Sequence, residues 1–194
     1  MKYLFISMVL FFSFSVSGNK SHAQDDFPVL EGPYFGQKPP GLIAEIFTPG
    51  IVSMNGRYEY GISFSPDSND MYFSVQEEDQ PASIYYSIIE GKKWQPIRRA
   101  NFTQGKKAGE MEPFVSHDGT QIYFTAYNTD FTDTKIWAVN RVKSDWGNAT
   151  KLESPINNEE VFNPVLAKNG DLFYIDIFIN PTASRCFCER SGYW

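Results

Sequence analysis

From about residue 58 the chain alternates short hydrophobic runs with polar breaks rich in Gly, Pro, Asp and Ser. Few windows place apolar residues at the 3, 4 and 7 spacing of an amphipathic helix, and Gly or Pro interrupts most of them, so the pattern predicts strands and turns. Residues 60–64 and 111–115 read as short strands, each ending at an Asp-Ser or Asp-Gly turn. Asp bonds its own backbone there and Gly accepts positive φ. Second strands follow at Met71–Val75 and Gln121–Ala126, and third strands around Ile84–Ser87 and Lys135–Ala138. Short loops then lead to Trp94 and Trp146 and a fourth short strand.

The runs repeat. Phe64-Ser65-Pro66-Asp67-Ser68 precedes Met71-Tyr72-Phe73-Ser74; Val115-Ser116-His117-Asp118-Gly119 precedes Ile122-Tyr123-Phe124-Thr125; Leu166-Ala167-Lys168-Asn169-Gly170 precedes Leu172-Phe173-Tyr174. Asp67, Asp118 and Asn169 are 51 positions apart, while Ile84-Tyr85 and Trp94 match Ile136-Trp137 and Trp146 at 52. Loops tolerate that one-residue drift. Four antiparallel strands per period is the signature of a propeller blade. The recurring Trp94, Trp146, Tyr85 and Trp137 are expected between neighbouring blades, with a sugar-stacking platform as the alternative use of such rings.

The Phe-Ser-Pro-Asp turn followed by Tyr72-Phe73, together with Glu112-Pro113 and the spaced tryptophans, resembles the TolB-like, WD-like (WD40- or PD40-type) β-propeller repeat of bacterial envelope and secreted proteins. The lead-in from Gly36 through Ser53 is similar to that of secreted members of the group. The resemblance covers roughly residues 34–175. It implies an all-β, partial β-propeller of four-stranded antiparallel blades, about three in number, and little about function, since propellers host unrelated activities.

The N-terminus reads as an address. Met1-Lys2 is followed by the almost wholly apolar Tyr3–Val16 and by Ser21-His22-Ala23, the three-part pattern of a secretory signal peptide cleaved after Ala23. The apolar run is short for a membrane span, which needs roughly 20 residues. The expected organisation is therefore a signal peptide over 1–23, a lead-in with a first strand over 24–57, propeller units near 58–108, 109–159 and 160–175, and an irregular, aberrant tail over 176–194. About three units do not close a ring, which typically needs 4–8 blades. The tail is then either a closing element or the mark of a truncated or frame-shifted copy of a longer propeller. Open blade edges would favour self-association.

Composition narrows the chemistry. The chain has 17 Lys+Arg against 23 Asp+Glu, a net charge of −6. Removing 1–23 takes away Lys2 and Lys20 and no acid, making the remainder more acidic still. Such a chain is a poor partner for nucleic acid, which is bound through Lys and Arg. No later apolar run is long enough to span a membrane. His117 is the one histidine left, and it sits at a turn position occupied by Pro66 and Lys168 in the other units, so no Ser-His-Asp triad or other catalytic set is expected. No Gly-x-Ser-x-Gly elbow or phosphate-cradling Gly loop is present. Ser116 to Thr120 superficially resembles the Asp-box turn of sialidase-type propellers, but Asp118 and Gly119 are adjacent where that motif has a residue between them.

Asp67, Asp118 and Asn169 are read as hairpin-turn residues. Cys186 and Cys188 lack further ligands for a metal, and neither a metal nor another cofactor is expected. Asn101-Phe102-Thr103 and Asn148-Ala149-Thr150 match the glycosylation pattern by chance. The remaining candidates are Glu59, Glu110, Glu112 and Glu160, near the first strand of each unit. As channel-facing carboxylates they could bind a cation or basic peptide; as strand-end charges they would face water. The expected function is a non-catalytic secreted or periplasmic binding module for a protein, peptide or glycan. The alternatives are a propeller-type glycan hydrolase or lyase, or the propeller portion of a truncated peptidase-like protein.

Overall fold

The structure, a computed structural model, describes residues 27–176 and the backbone of a strand over Arg185–Arg190. The expected signal peptide, 1–23, lies outside the described residues. The architecture is all-β, with three antiparallel sheets in succession forming a partial β-propeller.

Blade 1 contains β1 (Arg57–Phe64), β2 (Asp70–Glu77) and β3 (Ser83–Glu90). Its fourth strand comes in two pieces, β4 (Lys93–Trp94) and β5 (Arg98–Arg99), both paired with β3. Pro96, which has no N–H to give, lies in the break. Blade 2 repeats the plan with β6 (Gly109–Val115), β7 (Gln121–Tyr127), β8 (Lys135–Val142), β9 (Asp145–Trp146) and β10 (Thr150–Lys151). Blade 3 has β11 (Val161–Leu166), β12 (Asp171–Asp176) and β13 (Arg185–Arg190). The stretch expected to be irregular thus carries a strand, in register with β12 from Asp171↔Arg190 to Asp176↔Arg185. The pairing gives the backbone groups along that edge their partners.

The inner strands β1, β6 and β11 stand side by side. Each carries a bulge at the same place, where the register slips between Tyr60 and Ser63, Met111 and Phe114, and Phe162 and Val165. Gly61, Glu112 and Asn163, 51 positions apart, adopt φ of 60°, 55° and 58° there. Gly and Asn suit the left-handed region; Glu does not, and must be held in it by its surroundings.

The blades dock through matching bonds. The amide of Glu112 donates to Ser74 Oγ at 2.7 Å, and that of Asn163 to Thr125 Oγ1 at 3.0 Å. Glu110 N donates to the Ala82 carbonyl and Val161 N to that of Thr134, both at 3.0 Å. Apolar clusters fill the same gaps. Tyr72, Ile84, Ile122, Phe124, Trp137 and Val139 pack between blades 1 and 2, and Tyr123, Ile136, Leu172 and Tyr174 between blades 2 and 3.

The lead-in covers the other face of blade 1. A short 3-10 turn, Pro33–Gly36, stacks Phe35 on Trp94 with ring centres 4.2 Å apart, and Trp94 Nε1 donates to the Gly32 carbonyl. Glu31 of the lead-in forms an isolated bridge with Lys93 of β4, and within the lead-in Pro49 forms another with Ser53. Trp146 occupies the corresponding place one unit on, against Tyr72 of blade 1. The repeat therefore puts each tryptophan against whatever precedes its blade. Among the described residues no helix is long and apolar enough to cross a membrane.

Candidate functional site

The turn carboxylates are occupied as hairpin chemistry requires. Ser65 Oγ donates to Asp67 and accepts from Asp70 N; Ser116 Oγ donates to Asp118 and accepts from Gln121 N. Asp118 also accepts from the Thr120 amide and hydroxyl. The Ser116 bond, followed by those from Thr120, holds its carboxyl down at about 2. Asn169 accepts from Asp171 N in the third turn. His117, exposed on the second turn, places Nε2 2.8 Å from the Leu166 carbonyl of blade 3 and its ring edge-on to Phe114.

The four candidate glutamates have different surroundings. Glu59 pairs with Arg57 at 2.5 Å and accepts from the Met54 amide, tying β1 to the lead-in. Glu110 is buried, and its carboxylate accepts from the amides of Phe102 and Thr103 and from the Thr103 hydroxyl. Those bonds fix the linker between blades 1 and 2. Glu160 accepts from the amides of Asp133 and Thr134, the loop before β8. Glu112 is half-buried where the three inner strands meet. Its Oε2 accepts from the Thr125 hydroxyl at 3.0 Å and the Asn163 amide at 2.8 Å. Burial raises the Glu112 pKa against the lowering effect of those two bonds. The neighbouring Tyr60 hydroxyl is pushed up as well, by burial first and then by Tyr127 and Glu112. Among the described residues no three His, Cys, Asp or Glu side chains come together as a metal-binding group.

A larger feature lies elsewhere, between the outer strands of blade 1 and the β8–β9 hairpin of blade 2. It is a cleft of about 620 Å³, with Tyr72, Tyr86, Arg98, Arg141, Asp145 and Trp146 among its walls. Its size falls within the roughly 300–1,000 Å³ of small-molecule sites. Trp146 is fixed on two sides. Its Nε1 donates to Tyr72 Oη at 2.8 Å, and the Arg141 guanidinium lies 4.5 Å over its ring. Arg141 is itself paired with Asp70 of blade 1 and donates through Nε to the Gly119 carbonyl. Burial is the largest effect and opposes the Arg141 charge, but the Asp70 hydrogen bond together with the charges of Asp70, Tyr72 and Asp67 outweighs it and raises the guanidinium pKa. Tyr86 stacks on Tyr72, with centres 5.9 Å apart. Arg98 lies opposite Tyr86 in the β3–β5 register and shares its face, whereas Arg99 lies opposite Tyr85.

Sequence reasoning did not find this cleft. Trp146 was legible as a recurring residue, but Arg98 and Tyr86 carry no motif. They meet Trp146 only because blade 2 places its hairpin beside β5.

Among solved structures, the chain is similar to that of TolB from Acinetobacter baumannii, at 12% identity with a TM-score of 0.46, over 70% of this chain and 30% of that one. The chain thus spans less than a third of the length of the structure it matches. No family model matches it, and a search of curated proteins finds no match.

Proposed function

We propose that the chain is a non-catalytic binding module, exported from the cytoplasm, that offers the cleft between blades 1 and 2 to a protein, peptide or glycan ligand. The observation that carries this reading is the cleft itself: about 620 Å³ in volume, with aromatic and charged walls already held in place by contacts across the blade interface. A wall that is fixed before the ligand arrives lowers the ordering cost of binding. Export rests on the charged start and apolar run of residues 1–16.

The test is saturable binding by the full chain, measured by calorimetry with a panel of oligosaccharides and of acidic and basic peptides. Ser144 lines the cleft and is exposed, so Ser144→Trp would obstruct it. The reading expects a ligand whose binding is abolished by Ser144→Trp and whose mass is unchanged after overnight incubation. A ligand recovered cleaved, or binding indifferent to the obstruction, overturns it.

A further inference from the structure

We infer that the cleft between blades 1 and 2 takes an uncharged oligosaccharide, an inference that rests on the binding-module reading above. A sugar ring presents an apolar C–H face and neighbouring hydroxyls that both donate and accept. It is matched by aromatic surface beside planar polar groups of both kinds. The cleft supplies that combination. Tyr86 and Trp146 are each half-buried and leave ring surface uncovered at its wall. Around them stand Arg98 as a donor, Glu90 and Asp145 as acceptors, and the amides of Asn101 and Gln104.

These groups have capacity left. Gln104 spends its Nε2 on Asn148, and Asn101 its Oδ1 on the amide of Gly105, which leaves the opposite end of each amide for a ligand. The Arg98 side chain is exposed and makes no hydrogen bond or ion pair among the described residues, so its fork of N–H donors is available.

The charge balance selects against acidic ligands. Arg141 is matched by Asp70. That leaves Arg98 and Arg99 against Glu90 and Asp145 in the cleft, an even balance, on a chain of net charge −6. A polyanion would meet no positive surplus, whereas a polyol can use the donors and acceptors together. A basic peptide is the chief competitor.

The experiment titrates the full chain with three kinds of probe: neutral tetrasaccharides of glucose, mannose and N-acetylglucosamine; tetragalacturonate; and tetralysine. Calorimetry and Trp fluorescence report binding. At least one neutral tetrasaccharide should saturate. Arg98→Ala should weaken it about tenfold, the effect of losing one charge-assisted hydrogen bond. Its melting temperature should hold, since the β3–β5 pairing is made by the backbone and the Arg98 side chain has no hydrogen bond or ion pair among the described residues. Lys168→Ala, exposed on the third turn and outside the cleft, should leave affinity unchanged. Binding of tetralysine or tetragalacturonate in place of the neutral sugars, sensitive to Arg98→Ala, overturns the sugar assignment while the binding module stands. Neutral-sugar binding that ignores Arg98→Ala removes the ligand from the cleft. Failure of every probe to bind defeats the sugar assignment. The binding module falls with it only if the wider panel used to test that reading also yields no ligand.

Discussion

Glu112 Oε2 accepts the backbone amide of Asn163 at 2.8 Å, and the two residues hold the same bulge position in successive inner strands. A side chain from one repeat therefore secures the irregular point of the next. Glu112 also sits at positive φ, where a residue with Cβ is strained by about 1 kcal/mol or more. The Thr125 and Asn163 bonds compensate for that strain. Glu112→Ala keeps the strain and loses both bonds, so it should destabilise the fold by about 1–3 kcal/mol, read as a lower urea midpoint. Glu112→Gln, whose side-chain oxygen can accept both, should fall by much less.

The same pair gives a pH dependence. Burial raises the folded-state pKa of Glu112 above the ordinary 4.5. A carboxyl raised in this way contributes fully below its unfolded value, and the contribution is lost as pH rises through the folded value. Glu112→Gln removes this titration. Its stability relative to the parent should therefore improve between pH 4 and pH 7, measured by urea unfolding at both. A constant difference would contradict the burial of Glu112.

Asp118 behaves in the opposite sense. Its carboxyl is held at about 2 by Ser116 and Thr120. Ser116→Ala should move the midpoint up toward the ordinary value, followed by carboxyl chemical shifts in an NMR titration. A midpoint that does not move would mean the Ser116 bond is not formed in solution.

Gly109 begins β6 under the ring of Tyr127. A Cβ built there lies 2.1 Å from the Tyr127 ring. Gly109→Ala must displace a side chain whose hydroxyl accepts from the Ala82 amide of blade 1. A loss of about 1–3 kcal/mol follows from overpacking, and loosening of the blade 1–2 contact adds to it. Thermal unfolding would show this as a drop of several degrees.

The blades were legible because turn chemistry is local. Asp67, Asp118 and Asn169 bond their own backbones, so residue type and spacing suffice to place the hairpins. The bulge was not, because Glu112 has no preference for the conformation it adopts; only its register with Gly61 and Asn163 gives it away. The third turn is also one residue shorter than the others. Ala167 N bonds the Asp171 carbonyl, where Ser116 N reaches to Gln121. The strand after it is shifted by one position relative to a strict period. Glu110 could not be told from Glu112 by sequence, since both lie in β6. Burial separates them: Glu110 turns into the blade 1–2 linker, and Glu112 meets the next inner strand. The cleft is a product of packing between blades and has no counterpart within any one repeat.

The central claim is that successive inner strands dock by the same device, a bulge amide bonded to a hydroxyl of the preceding blade. Amide hydrogen exchange tests it directly. The amides of Glu112 and Asn163 should both be strongly protected, although neither bonds within its own sheet. Ser74→Ala should release the first amide alone, and Thr125→Val combined with Glu112→Ala, which removes both acceptors of the second, should release that one alone. Rapid exchange at both positions in the parent chain, or a response that fails to follow these pairs, would contradict the repeating dock.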